Sequence, residues 1–88
     1  MALKAGDDVR IIRLDRSGAD HLVVHRAQRA PRLGDKGSII EVRGAGDEAR
    51  YLVEADDGDG EALWLAEFSG EELQLEAEFE DWRRTKNP

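Results

Sequence analysis

Turn-forming breaks recur so often along this chain that only short elements fit between them. Gly6-Asp7-Asp8, Gly34-Asp35, Gly44-Ala45-Gly46-Asp47 and Asp56-Asp57-Gly58-Asp59-Gly60 each separate a brief run of β-branched and apolar residues. Glycine adopts the backbone angles of tight turns, and Asp side chains bond to the backbone just beyond them, so such clusters are turn signals. The runs between them alternate or cluster Val, Ile, Leu, Tyr and Trp, as strands do. Strands are expected at 9–14, 37–43, 49–55, 61–68 and 73–76, with one tight helical turn at 69–72. Residues 44–47 form a hairpin turn and 56–60 a second one. His21-Leu22-Val23-Val24-His25 is either a short strand or the base of a long loop, and 26–35, broken by Pro31 and Gly34, is loop.

Five short strands, a long early loop and a tight turn before the last strand predict an all-β fold, a small, partly open five-stranded barrel. The first choice is an SH3-like barrel over residues 1–76, and an OB-like barrel is the second. Residues 77–88 are expected to form a short C-terminal helix or tail, with Phe79, Trp82 and Arg83 on one side of it.

Length and composition narrow the function. Eighty-eight residues make one domain, and the chain has no cysteine. Disulfides, thiolate metal sites and cysteine nucleophiles are thereby excluded, and the lack of such staples in so small a domain points to the cytoplasm. No apolar run reaches the roughly 20 residues of a membrane span. The first residues are too polar and too few for a signal peptide. Residues 1–43 hold nine Lys/Arg against six Asp/Glu, whereas 44–88 hold four against fourteen. The acidic half repels a phosphate backbone, so nucleic acid is not an expected partner. It suits solubility or a basic protein surface.

The motifs resemble a known family. Gly6-Asp7-Asp8-Val9-Arg10-Ile11 looks like the G-D-x-V-R opening strand of the SH3-like electron-transport accessory proteins. Leu33-Gly34-Asp35-Lys36-Gly37-Ser38-Ile39-Ile40-Glu41-Val42 is similar to their G-x-x-G-x-V-x-x-V segment. Tyr51-Leu52-Val53-Glu54 resembles the next strand, with Ala55 in place of the usual aromatic, and Ala66–Leu73 resembles the closing F-x-x-x-E-L segment. The family includes a small accessory protein of photosystem I, the variable chain of ferredoxin–thioredoxin reductase and the C-terminal domain of the nitrile hydratase β chain. The resemblance covers residues 4–76, with 77–88 outside it. It implies a non-catalytic subunit that steadies or docks a larger enzyme, often a redox or metal enzyme.

The candidate binding residues are Arg26, Arg29, Arg32 and Lys36 on the basic 25–36 loop, with Trp64 and Trp82. The four cations could dock an acidic protein surface or pair with the protein's own acidic half. Trp64 lies in a strand apolar on both faces, Leu63/Leu65 and Ala62/Trp64/Ala66/Phe68. One face is core, and the other is covered by 77–84 or offered to a partner. Phe79 and Trp82 could be that cover or could be anchors in the partner.

No metal site is expected. His21 and His25 in an extended segment stand roughly 13 Å apart, too far to share an ion. Asp56-Asp57-Gly58-Asp59-Gly60-Glu61 fails the calcium-loop pattern at both ends, where Ala55 and Ala66 would be ligands. No cofactor or enzymatic activity is expected, because Ser17, Ser38, Ser69 and Thr85 all lack an activating neighbour. The expected function is an accessory or adaptor subunit that binds through the 25–36 loop and the Trp64 sheet. The alternative is an acidic inhibitor, of the antitoxin or immunity type, that covers a basic enzyme surface.

Overall fold

In the computed structural model, which describes residues 3–23 and 27–77, the chain forms one antiparallel sheet of five strands. In chain order these are β1 (Asp8–Ile11), β2 (Lys36–Arg43), β3 (Arg50–Asp56), β4 (Ala62–Ser69) and β5 (Leu73–Ala77). A single helical turn, α1 (Gly18–His21), lies in the long β1–β2 connection. Two 3-10 turns, Gly46–Glu48 and Gly70–Glu72, link β2 to β3 and β4 to β5.

The strand order is β4-β3-β2-β1-β5, so the last strand returns to pair with the first. With the long early loop and the 3-10 turn between β4 and β5, this is a small all-β, barrel-like fold, as expected from the turn spacing. No helix among the described residues is long and apolar enough to cross a membrane.

The core follows from strand alternation. Val9 and Ile11 of β1, Tyr51, Val53 and Ala55 of β3, and Trp64, Ala66 and Phe68 of β4 point inward, joined by Ile39 and Leu73. Every second residue of a strand faces the same way. The outward face mixes charged residues with Leu52, Leu63 and Leu65. Glu41 and Glu67 lie directly across from Leu52, and Arg43 and Arg50 close the group through ion pairs to Glu41 and Glu67. These charged side chains surround Leu52, which is buried although it faces away from the core.

Two boundaries differ from expectation. β1 stops at Ile11, and the expected strand through Leu14 does not form. The Ile11 N–H donates to the Asp35 carbonyl and the Ile12 N–H to the Glu72 carbonyl, which turns the chain out of the sheet. His21 closes a helical turn, where an extended segment had been expected. Ser17 caps that turn, its hydroxyl accepting from the Asp20 N–H at 3.3 Å, as short polar residues do at helix starts. Gly18 makes the turn possible, since a Cβ there would sit 2.1 Å from the Pro31 carbonyl oxygen.

The outer edge of β4 is covered by the long loop. Leu22 bridges to Ala66, the Val23 N–H donates to the Leu65 carbonyl, and the Gln28 N–H donates to the Leu63 carbonyl. This pairing occupies an edge that would otherwise invite another strand.

Candidate functional site

Two carboxylates fasten the long β1–β2 loop to the barrel. The first is Glu72, at the end of the 3-10 turn that joins β4 to β5. Ser69 and Glu72 form a capping box: the Ser69 N–H and hydroxyl both donate to Glu72 Oε1. The Ser-x-x-Glu spacing is the sequence signature of that device. The other oxygen, Oε2, accepts from the Asp15 N–H at 3.0 Å and lies 2.5 Å from His21 Nε2. His21 Nδ1 lies 2.8 Å from the Ser17 carbonyl oxygen, so both ring nitrogens face acceptors. The two side chains are 0% and 2% exposed. Burial alone would push the Glu72 carboxyl up, but hydrogen bonds from Asp15, Ser69 and His21 outweigh it and hold the group below its ordinary value.

The second carboxylate is Asp35. Arg29 grips it with both terminal nitrogens, at 2.6 and 3.0 Å. The Arg32 N–H and the indole N–H of Trp64 donate to Oδ2, at 2.9 and 3.1 Å. Burial pushes Asp35 up, and these donors, Arg29 first, more than reverse it, leaving the carboxyl below its usual range. A bidentate Arg–carboxylate pair fixes orientation as well as charge.

The anchors meet through the core. His21 stacks on Phe68 with ring centroids 4.9 Å apart, and Phe68 packs edge-on against Trp64 at 5.8 Å. A continuous line of contacts therefore runs from Glu72 through His21, Phe68 and Trp64 to Asp35 and Arg29. Both nitrogens of His21 are spent on protein partners and neither faces solvent, so the pair builds structure.

The candidate binding residues are distributed unevenly about this frame. Arg29 is held by Asp35, an acid of its own loop and not of the acidic half. The Arg32 guanidinium is exposed and meets no carboxylate among the described residues, while Lys36 is exposed and 3.9 Å from Glu76. Trp64, 1% exposed, is a core residue and not part of an accessible surface. Its strand turns the Trp64/Ala66/Phe68 face inward because those side chains fill the barrel, leaving Leu63 and Leu65 half-buried on the other side. Arg26, Trp82, His25 and residues 78–84 of the expected helix lie outside the described residues, while Ala77, its expected first residue, ends β5.

Sequence reasoning passed over two exposed apolar residues beside the cations. Ile12 is 50% and Leu33 62% exposed. The Gly34 N–H donates to the Ile11 carbonyl while the Ile11 N–H donates to the Asp35 carbonyl, which lays 33–35 beside 11–12. Gly34, at φ +88°, makes the turn that exposes Leu33. The signal in the sequence was Arg32-Leu33-Gly34, a large apolar residue inside a turn.

The 56–61 segment is a hairpin turn stabilised by its own carboxylates. Asp57 accepts from the Asp59 and Glu61 N–H groups, and Asp56 from the Gly58 N–H. No group of three or more His, Cys, Asp or Glu among the described residues is arranged to hold a metal ion. Comparison of the chain with protein-family models, curated proteins and solved structures found no match.

Proposed function

We propose that this domain is a non-catalytic accessory or adaptor subunit that binds a larger protein through the outer surface of its anchored loop. The observation that carries the reading is that backbone hydrogen bonds between Ile11 and Gly34–Asp35 lay the strand end with exposed Ile12 beside the loop that carries exposed Arg32, Leu33 and Lys36. Isolated exposed apolar residues are ordinary, but two large ones brought together by backbone hydrogen bonds and flanked by cations have the makeup of an interface. Asp35 and Glu72 hold that surface in place before a partner arrives, which lowers the ordering cost of association. The family resemblance extends the proposal to an enzyme partner of redox or metal type with an acidic docking surface.

The test is affinity capture of the tagged protein from its native cell extract, alongside an Arg32→Glu/Leu33→Asp variant. An enzyme of several chains recovered in stoichiometric amount by the parent and lost with the variant supports the reading. Equal recovery by both refutes it.

A second reading, an acidic inhibitor, draws on the far end of the barrel. There Glu54, Asp56, Asp59 and Glu61 are exposed and meet no cation among the described residues. This reading predicts capture of one basic protein, only at low salt.

A further inference from the structure

A cleft of about 550 Å³ shares no lining residue with the Ile12, Arg32, Leu33 and Lys36 surface. Its apolar walls are Leu3, Tyr51, Leu73 and Leu75, and its rim carries Asp15, Asp47 and Glu71. Arg13 lies 2.6 Å from Asp15 and 3.5 Å from Glu71, so one guanidinium is shared between two carboxylates. Asp47 meets no cation among the described residues. The rim therefore keeps an excess of negative charge.

Carboxylates on a surface do not by themselves make a site. Tyr51 supplies the independent observation. Its side chain belongs to the core and the residue is only 8% exposed, yet its hydroxyl makes no hydrogen bond to any described residue. No buried side-chain oxygen or nitrogen among the described residues lacks a partner, so the Tyr51 hydroxyl is the part that reaches the cleft. Gly70 lies against it: a Cβ at Gly70 would stand 3.4 Å from the ring and 3.9 Å from the hydroxyl. A largely buried ring with its hydroxyl left open is a preformed hydrogen-bonding group lining a negatively charged cleft.

We infer that this cleft binds an arginine-bearing, cationic peptide segment of a partner protein. The aliphatic stem of an arginine packs on Leu73, Leu75 and the Tyr51 ring, and its planar fork reaches Asp47 and Glu71. Tyr51 accepts from the guanidinium or bonds to the peptide backbone. The site is opposite in charge to the Arg32/Lys36 surface, so it stands or falls independently of the adaptor reading.

The test is a titration of the full-length, nitrogen-15-labelled protein with the acetylated and amidated pentapeptide Ala-Arg-Leu-Arg-Ala, followed by amide chemical shifts. The account expects the shifts to centre on Gly46, Asp47, Ser69, Gly70 and Glu71. Asp47→Asn/Glu71→Gln should weaken binding about tenfold, the sum of two partly exposed charge contacts. Tyr51→Phe, which preserves the packed ring, should weaken it about threefold through the lost hydrogen bond. Asp59→Asn, on the far hairpin turn, should leave the affinity unchanged. Shifts centred on 56–61, equal binding of Ala-Glu-Leu-Glu-Ala, an unaffected Asp47→Asn/Glu71→Gln variant, or no shifts around the cleft at millimolar peptide would each overturn the inference.

Discussion

His21 Nε2 lies 2.5 Å from Glu72 Oε2 across 51 residues of sequence, with both side chains closed off from solvent. One end of this pair belongs to the helical turn of the long loop and the other to the turn that starts β5. A buried charge survives only if its hydrogen bonds are satisfied, and Glu72 has four donors around it. Removing one partner leaves the others facing an empty position. Glu72→Ala should therefore lower stability by about 3 kcal/mol. Urea unfolding of this variant, of His21→Ala and of the double variant should show the two losses to be strongly non-additive.

Acid should loosen the same joint. The Glu72 carboxyl is held below its ordinary value of 4.5 and that of Asp35 below 3.8. A group with a depressed folded-state value binds its proton more readily in the unfolded chain, so it adds stability above its ordinary value. That contribution disappears as pH falls through the lower folded-state value. Urea midpoints should fall as pH drops below the ordinary values of these two groups, 4.5 and 3.8, and be level with respect to them above those values. Glu72→Gln should flatten part of that fall.

Asp35 serves four donors at once, two of them on Arg29 and one the Trp64 indole. Asp35→Ala should cost about 2 kcal/mol, because the buried indole N–H loses its acceptor along with the loop contacts. Trp64 emission should shift to longer wavelength as the loop lifts from the barrel. An unchanged spectrum with unchanged stability would show that Asp35 is not the anchor described.

Gly18 tests the fit of the loop against itself. The Pro31 carbonyl oxygen occupies the space a side chain would need, so Gly18→Ala should destabilise by about 1–3 kcal/mol through forced displacement of backbone. Gly58→Ala, where no atom lies within 4 Å of the added group, meets only the strain of its positive φ. The thermal midpoint of the first variant should fall further.

The strand plan was legible because each strand is bounded by its own turn chemistry. Gly44 to Asp47 and Asp56 to Gly60 mark their hairpins without reference to the rest of the chain, whereas the strand around Trp64 is apolar on both faces, and only the folded sheet shows that Trp64, Ala66 and Phe68 are the core side. The limits of β1 were not legible, because Ile11 and Ile12 are drawn out of register by carbonyls at Asp35 and Glu72 that lie far along the sequence. The role of Arg29 was open for a similar reason. Its charge was visible, but only the folded loop shows that it is matched by Asp35 six residues on. His21 read as one of two histidines too far apart to share an ion, and the extended segment expected around it is a helical turn. Glu72 stood out only as part of the closing F-x-x-x-E-L resemblance, and nothing local links it to His21. The exposure of Ile12 and Leu33 depends on where the loop is fastened, and so it emerges only with the anchors in place.

The long loop is a built part of the barrel, and two anchoring carboxylates fix the surface it presents. Native-state hydrogen exchange at the amides of Val23, Gln28 and Gly34, which donate to β4 or β1 carbonyls, tests this anchoring most directly. Exchange should be slow at all three, approaching that of Val53 and Phe68 in the sheet. Val23 should be selectively accelerated in Glu72→Gln, and Gly34 in Asp35→Asn. Exchange at free-chain rates in the parent protein, or no change in either variant, would contradict it.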